Sequence, residues 1–135
     1  MKRKCDTCIS LALLAADDLG EISHHLCKLA EAETDKEMEE RIDAISFHTK
    51  MYGKNLNTIA DICELESGRR ERINEVVKRA ERAIEEARKA KSPLIAAEII
   101  MKPLVEDLEH LLHFSLPEWI AEYCEREQKK LKEAL

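Results

Sequence analysis

Four carboxylates in two short clusters are the residues of this chain whose types and spacing most readily do chemistry. Asp17-Asp18-Leu-Gly-Glu21 opens the set, and Glu40-Arg-Ile-Asp43 closes it after a gap of eighteen residues. Asp18 and Glu21 are three apart, as are Glu40 and Asp43, so on a helix each pair shares a face. Between them Thr34 is followed three residues later by Glu37, the spacing of a capping box at a helix start. If the two helices fold back on one another, the clusters meet at about the same height on facing surfaces. Converging carboxylates repel one another unless a cation sits among them. Hard oxygen donors of this kind suit Mg²⁺ or Mn²⁺. The plainer reading is two solvated acidic faces, in a chain whose charged residues make up 37%.

The run Leu11-Ala-Leu-Leu-Ala-Ala-Asp-Asp-Leu-Gly-Glu-Ile22, with Lys28 beyond it, and the run Glu39-Glu40-Arg-Ile-Asp43-Ala-Ile45 carry a family likeness. Together they resemble the paired acidic motifs of the all-α nucleotide pyrophosphohydrolases of the MazG and phosphoribosyl-ATP pyrophosphatase type. That family carries E-E-x-x-E on one helix and E-x-x-D on the next. The resemblance spans residues 11 to 47, about a third of the chain. It departs from the family where the two opening glutamates stand as Asp17 and Asp18, whose carboxylates reach less far. It implies Mg²⁺ or Mn²⁺ held by Asp18, Glu21, Glu40 and Asp43, with Asp17 as a supporting acid. Glu21, Glu40 and Asp43 would be the catalytic carboxylates. The implied reaction is hydrolysis of a nucleoside triphosphate to the monophosphate and pyrophosphate, the metal polarising the phosphates and activating a bound water. A nucleotide is then the expected partner. By chemistry alone, Lys50, Lys54 and Asn55, beside a break that Gly53 could introduce, are phosphate-binding candidates; as ordinary helix residues they are simply solvated.

The cysteines support a rival reading. Cys5-Asp-Thr-Cys8 is a Cys-x-x-Cys pair, and in an antiparallel hairpin Cys63 lies opposite it. In an up-down arrangement the fourth helix returns to that end with His110 and His113. Such a set is able to hold Zn²⁺ or iron, in a non-catalytic helical interaction or metal-binding protein. A redox couple favoured by the helix start and by Lys2, Arg3 and Lys4 is a further reading. The plainest is that Cys8, Cys63 and Cys124 are small core residues on apolar seams. Glu21-x-x-His24 and Asp107-x-x-His110 echo the carboxylate–histidine pairs of di-iron helical proteins, but His24 and His110 fall near opposite ends. His25 flanks the core seam and His24 points outward.

The elements that must position these groups are helices. The chain has 135 residues, 4% aromatics, three glycines and three prolines, the composition of a single all-helical domain. Its net charge is −6, without a basic block, which disfavours nucleic acid. There is no membrane-length apolar run, and the basic start lacks a signal-peptide cleavage site, so the expected setting is the cytoplasm. Five cysteines without a secretion signal fit a reducing cytosol, or a thermophile that tolerates disulfides.

Apolar residues at four–three steps predict a long antiparallel hairpin within a four- to five-helix bundle. The first helix, about 5–32, presents Cys8, Ala12, Ala15, Leu19, Ile22, Leu26 and Leu29. The second, about 35–66, presents Met38, Ile42, Ile45, Thr49, Tyr52, Leu56, Ile59 and Cys63, with Ser67-Gly68 as its stop. The third, about 69–91, buries only Ile73, Val77, Ala80, Ile84 and Ala87. Ser92-Pro93 opens the fourth, about 93–114, which Pro103 kinks. Its apolar residues cover nearly two faces, which predicts a homo-oligomer, dimer or larger. Ser115-x-x-Glu118 predicts a cap for a fifth helix, about 117–134.

Overall fold

The computed structural model describes residues 4–135; Lys2 and Arg3, expected beside the cysteine pair, lie outside the described residues. The protein is all-α, with no strand among the described residues. Helix α1 (Lys4–Ala30) leads through a short turn to α2 (Asp35–Ile62), and α3 (Ser67–Arg88) follows. Then α4 (Pro93–Met101) runs through two π-helical stretches, Lys102–Leu108 and Leu111–Ser115, into α5 (Leu116–Ala134). No helix among the described residues is long and apolar enough to cross a membrane.

The α1–α2 turn closes as its residues predict. Thr34 is extended (φ −127°, ψ 157°), and its hydroxyl accepts the Glu37 N–H at 3.1 Å. The Glu37 carboxylate reaches back to the Glu33 N–H at 3.0 Å. These contacts satisfy donors that the first helical turn leaves open. The two helices then run antiparallel: Cys8 meets Cys63, Asp18 meets His48, and His25 meets Arg41. Every residue of the expected α2 seam is buried, as are those of α1 except the half-buried Ala12. The five seam residues of α3 are buried too, and Val76 joins them.

Gly53 does not break α2. A Cβ there would lie 3.0 Å from Val77 Cγ1 of α3, so the missing side chain lets the two helices approach closely. The α2 stop also differs from expectation. It falls at Glu64, the one non-glycine residue with positive φ (53°) among the described residues, while Gly68 lies in the first turn of α3. The Leu65 N–H bonds the Ala60 carbonyl at 3.0 Å and Leu65 is buried, which is the Schellman arrangement. The Arg70 guanidinium donates to the Ala60 and Leu65 carbonyls and to Asp61, so the helix end is held without glycine.

Ser92 caps α4 through the Ile95 N–H at 3.2 Å, with Pro93 at the first turn. The expected break at Ser115 is absent. Ser115 is itself helical (φ −81°, ψ −50°) and its side chain makes no cap. Pro103 lies in the first π stretch, and Pro117 follows the second by two residues. Proline lacks an N–H and crowds the carbonyl four residues back; the wider i→i+5 turn admits it without breaking the rod. The buried Tyr52 hydroxyl donates to the Leu108 carbonyl at 2.6 Å, filling an acceptor inside the first π stretch. Because the rod is unbroken, it carries α5 to the start of α1, where Cys124 forms a disulfide with Cys5.

Candidate metal centre

Asp18 and Glu21 do face α2, but the residues opposite them are His48 and Asn55 rather than Glu40 and Asp43. The Asp18 carboxylate, 15% exposed, accepts His48 Nδ1 at 3.1 Å and Asn55 Nδ2 at 3.2 Å. The Glu21 carboxylate, 53% exposed, lies 3.6 Å from His25 Nε2 and 4.0 Å from His48 Nε2. The two imidazoles stack at 5.9 Å between ring centroids, 19° from parallel. Among the described residues, Glu21, His25 and His48 are the one group of three histidine, cysteine or acidic side chains whose ligand atoms all lie within 4.8 Å of one another.

Local sequence explains the convergence. His25 precedes the seam residue Leu26 and His48 precedes the seam residue Thr49, so each ring sits on the flank of its helix beside the hairpin joint. Glu21 is one turn before His25 on the same face. The hydrogen bonds fix the tautomers. A carboxylate accepts only, so His48 donates from Nδ1 to Asp18, and its Nε2 lies toward Glu21. Arginine donates only, so Arg41 Nη1, 2.9 Å from His25 Nδ1, puts the proton of neutral His25 on Nε2, toward Glu21. Burial holds the His25 pKa below its ordinary value; the nearby Arg41 and His24 add to this and Glu21 opposes it.

The acidic foursome is not assembled, and the reason is register. Arg41, the neighbour of Glu40, meets His25, a full turn beyond Glu21. Asp43 turns to α3 and accepts Arg88 Nη1 at 2.6 Å. Glu40 and Asp17 are exposed. The phosphate-binding trio is split as well. Lys50 and Lys54 line an α2–α3 groove with Gly53 and Lys78, while Asn55 faces α1. A Cβ on Gly20 would meet nothing within 4 Å, so that glycine marks no close approach.

The sulfur–histidine set also comes apart. Cys5 is disulfide-bonded to Cys124, and Cys8 lies against Cys63 with sulfurs 2.9 Å apart. His113 lines a groove with Ala16, Leu19, Gly20 and Ser23, well along α1 from the thiols. His110 is exposed and packs on Phe114. The unbroken rod is the cause: it places the histidines midway along α1 and delivers Cys124 to the cysteine end.

The acidic motifs do not point to His48 or Arg41. A signal was present in the sequence: His25 and His48 occupy equivalent flank positions on facing seams. No family model, curated protein or solved structure matches this chain.

Proposed function

We propose that this protein is a helical metal-binding protein that takes a transition metal of the Zn²⁺ or Fe²⁺ class on Glu21, His25 and His48. The observation that carries the reading is the double engagement of His48. Asp18 orients its Nδ1–H, and its Nε2 lies 4.0 Å from the Glu21 carboxylate. A carboxylate behind a ligating histidine is the usual outer support of such sites and raises the basicity of the ring. Two imidazoles and one carboxylate suit zinc, iron, nickel or copper better than Mg²⁺, which prefers all-oxygen donors. Metal–nitrogen distances of about 2.0–2.1 Å require the ligand atoms to draw inward. Glu21 is exposed, so a bound ion would keep open positions for water or a substrate, the pattern of catalytic rather than structural zinc. Such an ion lowers the pKa of its bound water toward neutrality. Asp18, itself held by Asn55, would orient the His48 ligand.

The Mg²⁺-dependent nucleotide pyrophosphohydrolase implied by the motif resemblance is the second reading. What favours it is that Asp18 and Glu21, at matching motif positions, face α2 across the hairpin joint. Self-association into a dimer or larger oligomer completing a helical bundle belongs to both readings.

One set of variants separates them. Zn²⁺ and Mg²⁺ are each titrated into the protein and into Glu21→Gln, His48→Ala and Glu40→Gln. The melting temperature and pyrophosphate release from a nucleotide panel are both recorded. A site filled at a hundredfold excess over Kd stabilises the fold by about 2.7 kcal/mol. The triad predicts a Zn²⁺-dependent rise that Glu21→Gln and His48→Ala remove and Glu40→Gln leaves intact. The pyrophosphohydrolase predicts turnover with Mg²⁺ that Glu40→Gln abolishes. No shift with Zn²⁺ refutes the triad.

A further inference from the structure

The end of the molecule opposite the α1–α2 turn gathers four of the five cysteines, and the metal centre uses none of them. Cys5 and Cys8 stand in the first turns of α1, three residues apart and so on one face. Cys63 caps the C-terminal end of α2 and Cys124 comes from α5. Cys5 and Cys124 are joined, each half-buried, while Cys8 and Cys63 are free thiols with no exposed surface. The 2.9 Å between the sulfurs of Cys8 and Cys63 is hydrogen-bonding proximity. Arg126, two residues past Cys124 on α5, donates from its guanidinium to the Cys63 carbonyl at 3.3 Å. The disulfide and the dithiol are therefore neighbours, with Cys5 and Cys8 on the same helical face.

We propose that Cys5, Cys8, Cys63 and Cys124 form a thiol–disulfide relay, in which the disulfide at the half-buried pair is passed through Cys8 to the buried Cys8–Cys63 pair. In the first step the Cys8 thiolate attacks the Cys5 sulfur. A Cys5–Cys8 bond forms, the Cys5–Cys124 bond breaks, and Cys124 leaves as a thiolate. In the second step the Cys63 thiolate attacks the Cys8 sulfur, forming Cys8–Cys63 and releasing Cys5. The two protons lost by Cys8 and Cys63 are taken up by Cys124 and Cys5, so the exchange needs no external oxidant. A small-molecule disulfide such as oxidised glutathione then re-forms Cys5–Cys124 and departs as two thiols. The chemical class of substrate is thus a disulfide, entering at the half-buried pair.

Direction follows from the local chemistry. Thiolates rather than thiols attack. Burial raises both buried thiols, and either sulfur of the pair can donate the hydrogen bond between them. Cys8 is the first attacker because it is the sulfur that shares a helical face with Cys5. A direct route from solvent to the buried pair would require the α1–α2 seam to open, because both sulfurs have no exposed surface. The relay reaches them from the half-buried disulfide instead.

The test uses Cys27→Ser protein, which removes the exposed thiol, equilibrated in glutathione buffers of increasing oxidation. Samples are quenched in acid, unfolded in an alkylating reagent and mapped by mass spectrometry. The expected result is loss of both remaining free thiols, with a Cys8–Cys63 cross-linked peptide beside Cys5–Cys124. Adding Cys63→Ser stops the relay after its first step; a Cys5–Cys8 disulfide with a free Cys124 thiol is expected in a fraction of the molecules. Adding Cys5→Ser and Cys124→Ser together should slow closure of the buried pair at least tenfold. If that variant unfolds, the Cys63→Ser trap decides alone. The proposal is overturned if Cys8 and Cys63 stay reduced in the most oxidising buffer. It is equally overturned if the Cys63→Ser protein holds only Cys5–Cys124, or if the folded double variant closes the buried pair at the unaltered rate.

Discussion

Arg41 is the residue on which the proposed metal site turns. Its guanidinium occupies His25 Nδ1, which puts the proton of neutral His25 on Nε2, the wrong tautomer for ligation through Nε2. Binding an ion there must move the proton to Nδ1 or displace Arg41. Replacing it with glutamine, which can accept a hydrogen bond as well as donate one, removes both the cation and the fixed donor. Arg41→Gln is therefore expected to tighten Zn²⁺ binding about tenfold, equivalent to ~1.4 kcal/mol, measured by calorimetry. Weaker binding would assign Arg41 a supporting role instead.

The same contact sets a pH dependence. The folded-state pKa of His25 lies below its ordinary value near 6.5, with burial first and Arg41 second among the causes. Below pH 6.5 the unfolded chain binds a proton that the folded chain refuses, so stability falls as pH drops from there through the folded pKa and is fully present above it. An NMR titration should place the His25 midpoint below 6.5, and Arg41→Gln should raise it. A midpoint at or above the ordinary value would contradict the geometry.

At the scale of the element, two substitutions of opposite kind are expected to stabilise. Glu64 ends α2 in the left-handed region, where a Cβ is disfavoured. Glu64→Gly relieves that strain and should add about 1 kcal/mol. Gly20 lies inside α1 with open space where its Cβ would be. Gly20→Ala should add about 1 kcal/mol through helix propensity alone. Urea denaturation with an unchanged m-value checks both. A destabilised Gly20→Ala would show that another surface approaches α1 at that point, as an oligomer interface would.

Across the whole molecule, the fourth helical rod is only partly covered. Leu104, Leu108, Leu111 and Leu112 are buried, but Leu94, Ile95 and Met101 remain about half exposed. Leu94 and Met101 are seven apart and share a face of the rod. Ile9, Leu13 and Leu14 of α1 are exposed as well. Covering such surface contributes roughly 25 cal/mol per Å², and a stable dimer buries on the order of 1,200–2,000 Å² in all. Light scattering at micromolar concentration is expected to report a dimer or larger, and Leu94→Lys with Met101→Lys to shift it toward monomer. A folded wild-type monomer would rule out the assembly.

The one-dimensional pattern determined the helices and the residues they bury. Four–three apolar spacing placed the seams of α1, α2 and α3, because the helical period alone decides which side chains share a face. Thr34 and Ser92 were legible as caps because capping is settled within four residues. The tertiary structure decided what faced what. A carboxylate's opposite number depends on hairpin register, and a register in which His25 meets Arg41 put His48, not Asp43, beside Asp18. Ser115 and Pro117 read locally as a helix start, yet packing along α1 and a π-helical turn kept the rod continuous. That continuity, which no local signal encodes, moved His110 and His113 away from the thiols and brought Cys124 to Cys5.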